Sequence, residues 1–237
     1  MKVQILGTGA IYSKRNCASL IIDKKILFDI GPGTIKQLLK ENYDLKEINT
    51  ILISHLHSDH ILDFPIFIVN LEVLNINHKV RVIGPVNMKE KLLKLLELMY
   101  GNYFDNFINK NFEFIEVKEN NYDILYNNYK INMLKVNHEG IEAYGFIIND
   151  KLGLTGDSSI CDGVQEIFSN SKVIVADCSL IKGDNYHMGF NDIKNLLKEK
   201  KEKIVMATHL RDDTRELLAA KKIKNFNVVE DGYYFDI

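Results

Sequence analysis

Short apolar runs of strand length alternate along this chain with stretches whose apolar residues recur at helical spacing. Leu20–Ile22 and Ile26–Phe28 predict the two strands of a hairpin. Thr50–Ile53 and Val80–Ile83 predict buried strands, the second one stopped by Gly84-Pro85. The other predicted strands are Val3–Leu6, Phe112–Val117, Tyr129–Val136, Tyr144–Ile148, Leu152–Thr155, Lys172–Ala176, Ile204–Ala207, Phe226–Val229 and Tyr233–Asp236.

Helices are predicted between these strands, where apolar residues repeat every three or four positions. Thr34 is a candidate N-cap of the first helix, because a threonine hydroxyl can accept a backbone N–H. Strands interspersed with helices are typical of a layered α/β protein whose sheets are covered by helices. Asn102–Asn132 is the least regular stretch, expected to be a lid, a contact segment or a surface merely rich in Asn. The predicted helices are Thr34–Lys40, Met88–Met99, Asp162–Phe168, Asn191–Lys200 and Asp213–Lys221.

Composition narrows the class of protein. The 237 residues are 46% hydrophobic and include only 3 Pro, so a single domain over residues 1–237 with a large core is expected. A formal net charge of -2 argues against a protein whose main task is to grip a nucleic-acid backbone. The sequence has no apolar run of the ~18 residues that span a bilayer, no signal core and no C-x-x-C pair. A cytoplasmic location is therefore expected.

The segment Ile51–His60 carries the most specific chemical signal. Three imidazoles and a carboxylate fall within six residues, directly after a buried strand: His55, His57, Asp59 and His60. Imidazole and carboxylate groups are ligands for zinc, manganese or iron(II), and four of them exceed what one catalytic ion takes from a single segment. The chain has only 7 histidines, and three of them stand in this window, so unrelated individual roles explain the pattern poorly.

This H-x-H-x-D-H pattern resembles that of the metallo-β-lactamase superfamily, and the rest of the chain carries the family's other marks. The family's further ligands are a lone His after a later strand, an Asp in a G-D motif and a His near the C-terminal end. The matching residues here are His138, Asp157 and His209. Each follows a predicted strand, so all of them can converge on one rim. The resemblance covers nearly the whole chain, from Gly7-Thr8-Gly9 to Asp231-Gly232-Tyr233.

The resemblance implies a fold, a metal site and a type of reaction. The implied fold is α/β, a metallo-β-lactamase-type αββα four-layer sandwich of two mixed β-sheets flanked by helices. The implied site holds two divalent ions, with zinc as the first choice and manganese as the alternative, which share a bridging hydroxide at neutral pH. In the implied ligand set, His55, His57 and His138 bind one ion, Asp59, His60 and His209 bind the other, and Asp157 bridges them.

His187, in Asn185-Tyr186-His187-Met188, is not needed in that ligand set. The branch of the superfamily that resembles ribonuclease Z and related phosphodiesterases has a His-Met motif at this point. In that branch the histidine faces the scissile phosphate and acts as an acid or charge stabiliser, whereas lactamases and glyoxalase II-like thioesterases lack it. The resemblance therefore implies phosphoryl chemistry, with Asp59 and His187 as the catalytic residues.

One departure from ribonuclease Z affects the expected substrate. True ribonuclease Z carries a long arm before the G-D motif and grips the tRNA elbow with it. Here only about ten residues separate Gly145 from Gly156, enough for a hairpin turn. Arm-less members of this branch include small phosphodiesterases that act on cyclic ribosyl phosphates or cyclic nucleotides. Phage-type anti-Pycsar enzymes, which degrade cyclic pyrimidine mononucleotides, are one such group. The predicted function is therefore hydrolysis of a small, cyclic phosphodiester by the metal-bridging hydroxide.

Other functions stay open at this point. The alternatives are a ribonuclease Z-like tRNA 3′ endonuclease, a lactonase or thioesterase with an apolar acyl pocket, and a non-enzymatic protein that binds a nucleotide signal. The open, carboxylate-bridged ligand set argues against the last, because structural zinc sites are usually closed and rich in Cys. Relatives are commonly dimers, so we expect a homodimer. Its expected binding partner is a small phosphodiester substrate, and we expect neither membrane binding nor stable binding of nucleic acid.

Overall fold

The computed structural model describes residues 1–119, 121–126, 128–219, 221 and 223–237. Backbone contacts divide the chain into two compact units. Unit 1 contains residues 1–7, 16–118 and 231–236, and unit 2 contains residues 8–15, 119–230 and 237. Each unit is built around one seven-stranded sheet and carries its own helices. The expected single domain over residues 1–237 stays a prediction.

In unit 1 the strands form one mixed sheet. Its strands are β1 (Lys2–Gly7), β2 (Ser19–Ile22), β3 (Ile26–Phe28), β4 (Thr50–Leu52), β5 (Val80–Pro85), β6 (Phe112–Val117) and β14 (Tyr234–Asp236). Their order in the sheet is β14-β1-β2-β3-β4-β5-β6. β2 and β3 form the antiparallel hairpin that the sequence predicted, β1 pairs antiparallel with β2, and β3 to β6 pair parallel. β3, β4 and β5 are largely apolar and mostly buried, which is usual where helices cover a sheet.

The helices of unit 1 pack their apolar residues into one core with this sheet. They are α1 (Thr34–Lys40), α2 (Ser58–Ile61), α3 (Phe64–Val73), α4 (Met88–Tyr100) and α5 (Asp105–Asn111), with a 3-10 turn at Leu45–Glu47. The sequence analysis missed α3, because its apolar residues stand at nearly every position and show no helical period. Phe64, Phe67, Ile68 and Leu71 are nevertheless buried in the core.

In unit 2 a second mixed sheet has the order β13-β12-β11-β10-β9-β8-β7. Its strands are β7 (Asn121–Tyr126), β8 (Tyr129–Val136), β9 (Ala143–Ile148), β10 (Leu152–Leu154), β11 (Val173–Asp177), β12 (Ile204–Thr208) and β13 (Phe226–Val228). Its helices are α6 (Asp162–Asn170), α7 (Phe190–Glu199) and α8 (Asp212–Ala219). β7 to β10 pair antiparallel, and β10 to β13 pair parallel. Apolar residues of α6 and α7 share one core with this sheet.

Three local expectations prove wrong. The first residue before α1 is Gly33, whose φ of 97° only glycine adopts readily, and Thr34 instead donates its hydroxyl to Ser19. β5 does not stop at Gly84-Pro85, because both residues continue the parallel pairing with β6. Asn102–Asn132 is mostly regular over its described residues, because strand pairing outweighs the low β-propensity of Asn. Asn120 and Asn127 lie outside the described residues.

Among the described residues, every helix is too short or too polar to cross a membrane.

Candidate metal centre

The first group of predicted ligands lies in unit 1, directly beyond the end of β4. His55 and His57 stand in the loop after this strand, and α2 carries Asp59 and His60. The His55 ring centroid lies 4.6 Å from that of His57 and 4.1 Å from that of His60. Nε2 of His60 lies 3.6 Å from Oδ2 of Asp59. The short connection out of a buried strand therefore groups all four side chains.

A buried carboxylate at the end of the neighbouring strand holds this group in place. Asp29 follows β3 and accepts the backbone N–H of Ser54 at 2.8 Å and its hydroxyl at 2.7 Å. Nδ1–H of His60 donates to Asp29 Oδ2 at 2.7 Å. The Ser54 oxygen in turn accepts Nδ1–H of His55 at 3.0 Å. Burial raises the pKa of Asp29, although the charge and hydrogen bond of His60 oppose that shift.

The glycine after β3 also belongs to this site. A Cβ added at Gly31 would overlap the backbone oxygen of Asp59. The backbone N–H of Ile30 donates to the His60 carbonyl at 2.8 Å, so the chain after β3 runs directly against α2. The missing side chain of Gly31 therefore lets this backbone approach the segment that carries Asp59 and His60.

The other predicted residues lie in unit 2, at one edge of its sheet. β8, β10, β11 and β12 run in the same direction, so their C-terminal ends share that edge. His138 follows β8, Asp157 follows β10 and His209 follows β12, as the sequence predicted. Carboxyl ends of parallel strands are the usual place for ligand sites in α/β proteins.

β11 adds Asp177 at the same edge, a residue that the sequence analysis did not single out. Its Oδ2 accepts Nδ1–H of His187 at 2.8 Å. Its Oδ1 accepts the Ser179 hydroxyl at 2.8 Å, and the Ser179 oxygen accepts Nδ1–H of His209, also at 2.8 Å. Asp157, Asp177, His187 and His209 each offer one ligand-type atom within 4.8 Å of the others.

The charges in this group support each other. Burial by itself would raise the pKa of Asp177, but the hydrogen bond from His187 and the nearby imidazole of His209 hold it well below its ordinary value. Burial would likewise lower the pKa of His187, but the hydrogen bond to Asp177 raises it. The carboxylate and the imidazole therefore stabilise each other's charged forms away from solvent.

The histidines share one feature that suits a metal ion. Nδ1 of His55, His60 and His209 donates to a serine or aspartate oxygen. Nδ1 of His138 donates to the Tyr186 carbonyl at 2.9 Å. A neutral imidazole that donates from Nδ1 keeps its lone pair on Nε2, and such outer hydrogen bonds are typical of metal-binding histidines. The imidazole and carboxylate donors therefore fit divalent transition-metal ions.

Sequence reasoning missed both of the buried aspartates that orient these histidines. The predicted strands Ile26–Phe28 and Lys172–Ala176 each ended one residue before the aspartate, Asp29 in the first case and Asp177 in the second. Each aspartate stands at the end of a strand whose neighbour in the sheet leads into a proposed ligand, β4 into His55 and β12 into His209. The sequence alone does not show which strands are neighbours.

Comparisons with known proteins identify the family of this chain. Residues 1–235 match the family model described as "Anti-Pycsar protein Apyc1". Ribonuclease Z of Pediococcus pentosaceus is 27% identical over 159 residues, which cover 64% of this chain and 50% of that protein. The matched part covers between 36% and 50% of the length of the first three curated relatives.

Solved structures show the fold. The short form of human tRNase Z (ELAC1) matches with a TM-score of 0.81 at 20% identity, over 100% of this chain and 99% of that chain. The metallo-β-lactamase fold protein YhfI from Bacillus subtilis matches with a TM-score of 0.78 at 19% identity, over 99% of this chain and 98% of that chain. The predicted fold class, a metallo-β-lactamase fold with two mixed sheets and helices, is confirmed.

Proposed function

We propose that this chain, which belongs to the anti-Pycsar protein Apyc1 family, is a metal-dependent phosphodiesterase. The proposed substrate is a small phosphodiester, either a cyclic nucleotide or a cyclic ribosyl phosphate. The observation that carries this proposal is His187, held by buried Asp177 in the same group as Asp157 and His209. An imidazole fixed beside metal-type ligands suits the cleavage of an ester whose departing oxygen needs a proton.

The family implies divalent metal ions, and the donor set described above supports them. We propose two ions, with Zn²⁺ as the first choice and Mn²⁺ as the alternative. When bound, such ions activate water and offset the negative charge on the phosphate oxygens. The proposed ligands are His55, His57, Asp59, His60, His138, Asp157 and His209.

The chain's own side chains contribute positioning and proton transfer. Asp177 fixes the His187 ring through Nδ1, which leaves Nε2 for the substrate. As the ester bond breaks, Nε2–H of His187 gives its proton to the departing oxygen or stabilises its charge, and Asp177 stabilises the protonated ring. The His187 side chain is 16% exposed, so a substrate can reach it. Asp59 is proposed to orient the attacking water.

A tRNA 3′ endonuclease is the second candidate, because the curated relatives include ribonuclease Z. The connection between β9 and β10 argues against it. These strands pair antiparallel, with Ile148 opposite Leu152, so only residues 149–151 join them. This hairpin turn matches the one predicted between Gly145 and Gly156, where ribonuclease Z has its tRNA-binding arm. A lactonase or thioesterase remains the third candidate.

One substrate screen tests these candidates together. The purified chain is loaded with Zn²⁺ or Mn²⁺ and incubated with 3′,5′-cyclic nucleotides, a linear dinucleotide, a precursor tRNA, a lactone and a thioester. We expect turnover of a cyclic phosphodiester, loss of turnover after chelation and recovery when the metal is returned. His57→Ala is the control, because it removes a proposed ligand while leaving His187 and Asp177 in place.

The outcomes separate the candidates. Cleavage of precursor tRNA alone favours the endonuclease, and turnover confined to the lactone or thioester favours acyl chemistry. A fully metal-loaded chain that acts on none of these substrates contradicts the proposal and favours a nucleotide-binding protein. The homodimer and the cytoplasmic location stay predictions, to be checked by light scattering and by cell fractionation.

A further inference from the structure

Unit 2 contains a cavity of about 640 Å³ beside His187 and His209. Its volume lies within the range of small-molecule pockets, which is about 300–1,000 Å³. Ser179, which connects Asp177 to His209, forms part of the same wall. The remaining lining residues are Ala10, Ile11, Tyr12, Arg211, Asp212, Asp213 and Glu216. The cavity therefore joins the proposed catalytic histidine to side chains that no step of the proposed reaction uses.

One wall of the cavity is the segment 8–15, which is tied firmly to the chain around Leu210. The Leu210 N–H donates to the Thr8 carbonyl at 3.0 Å, and the Ala10 N–H donates to the Leu210 carbonyl at 3.2 Å. The Asp212 carboxylate accepts the Ser13 hydroxyl at 2.8 Å. Arg215, buried beneath, donates to the Thr8 hydroxyl at 2.8 Å. The segment is therefore held on both sides of its two middle residues.

Those middle residues, Ile11 and Tyr12, are apolar or aromatic and yet exposed. Ile11 is 67% exposed and Tyr12 is 89% exposed. The loop is held in place, yet the Tyr12 ring at the cavity does not pack into a core, so the ring can contact a ligand. Aromatic rings bind other flat rings by stacking, and this contact is tolerant of the identity of the base.

Other lining residues of the cavity carry charges that suit the polar edge of such a ring. Asp212 is engaged by Ser13, and Asp213 accepts the N–H of Thr214 at the start of α8. Glu216 and Arg211 are exposed at the cavity and offer an acceptor and a set of donors. Nucleobases present acceptors and, in several cases, an amino group at their edges, so both charges have a partner on such a ligand.

We propose that this cavity is the subsite for the nucleobase of the diester whose phosphate lies at His187, with Tyr12 stacking on the base. Arg211 and Glu216 then contact the edge of the base. This inference rests on the proposed phosphodiesterase function. It goes beyond that function by naming the residues that recognise the organic group attached to the phosphate.

A fluorescence experiment tests the subsite without depending on turnover. The chain has no Trp, so Tyr12→Trp introduces a single tryptophan at the cavity. Titration with adenosine, cytidine and uridine 5′-monophosphates is expected to quench its emission, because a stacked base contacts the indole. Ribose 5-phosphate carries the same phosphate without a base, and we expect it to leave the emission unchanged. Equal responses to the nucleotides and to ribose 5-phosphate overturn the inference.

A kinetic experiment gives an independent readout. Tyr12→Ala is expected to raise KM for a 3′,5′-cyclic nucleotide about tenfold, with a small effect on kcat, and Tyr12→Phe is expected to restore it. Glycerol 1,2-cyclic phosphate has no aromatic ring, so Tyr12→Ala is expected to affect its kcat/KM far less. The matched control is Leu217→Ala, which changes a side chain that is 61% exposed on α8 but does not line the cavity.

Failure of the proposed function and failure of the base subsite give different results. If the unmodified chain hydrolyses neither diester, the proposed function is wrong, whereas the fluorescence titration still reports whether the base binds. If the unmodified chain hydrolyses both and Tyr12→Ala changes both equally or neither, the proposed function stands and the base subsite is wrong.

Discussion

The two units orient their histidines with the same arrangement of side chains. In unit 1, the Asp29 carboxylate accepts His60 directly and reaches His55 through the Ser54 hydroxyl. In unit 2, Asp177 accepts His187 directly and reaches His209 through the Ser179 hydroxyl. Each unit therefore fixes two imidazoles with one buried carboxylate and one serine.

The two arrangements differ in what the directly bound histidine does. His60 of unit 1 is 1% exposed and lies beside Asp59, another proposed ligand. His187 of unit 2 is partly exposed and lines the 640 Å³ cavity. In the proposed function, this arrangement orients two metal ligands in unit 1, whereas in unit 2 it orients one metal ligand, His209, and the residue that contacts the substrate, His187. The difference comes from access, because only a side chain that solvent reaches can meet a substrate.

His187→Ala gives the largest expected effect on this comparison. It removes the proposed acid but none of the proposed ligands, so kcat is expected to fall by about 10²- to 10⁴-fold. Metal content, measured by elemental analysis, is expected to stay at the level of the unmodified chain. Turnover close to that of the unmodified chain contradicts the role that we give to His187.

Asp177→Asn is expected to have the next largest effect. The amide keeps the shape of the carboxylate but not its charge, so His187 loses the charged acceptor of its Nδ1–H, and the Ser179 hydroxyl that accepts His209 loses its own charged acceptor. We expect kcat to fall by about 10- to 100-fold. Both kcat and metal content are measured on the same sample. A loss in kcat that exceeds the loss in metal content supports positioning of His187 by Asp177, whereas equal losses indicate a purely structural role.

Asp29→Asn is the matched change in unit 1, and its main effect is expected on the metal. Asp29 orients His60 directly and His55 through Ser54, so metal affinity is expected to fall by about 10- to 100-fold. Competition with a coloured chelator measures this affinity. Excess metal is expected to restore most of kcat. If added metal restores kcat equally in Asp29→Asn and Asp177→Asn, the proposed difference in function between the two units is wrong.

Ser54→Ala and Ser179→Ala are expected to have the smallest effects. Each removes the hydroxyl that bridges a carboxylate to a histidine, and leaves a buried imidazole N–H without that acceptor. The expected loss in unfolding free energy is about 1–3 kcal/mol, measured by urea denaturation of the metal-free chain. A loss in kcat that exceeds that of Asp177→Asn would show that the bridging serine, rather than the carboxylate, dominates the orientation.

The fold elements were predictable where the local pattern is strong. The bounds of α1, β6 and β8 match the predicted ones, and α4 differs by one residue, because period and capping are properties of neighbouring residues. α3 was missed because a uniformly apolar segment has no period, and β7 because its strand depends on pairing with β8. The formation of α3 and β7 therefore depends on the parts of the structure that these segments pack against.

The same division holds for the site. The sequence by itself determined the cluster His55, His57, Asp59 and His60, because its four members lie within one short segment after a strand. Only the tertiary structure assigned Asp29 and Asp177 to the histidines that they orient, and only it placed Tyr12 and Glu216 at the same cavity. Contacts between residues far apart in the chain depend on which strands are neighbours and in which direction they run. That order is set by the packing of the whole sheet, which no short stretch of sequence encodes.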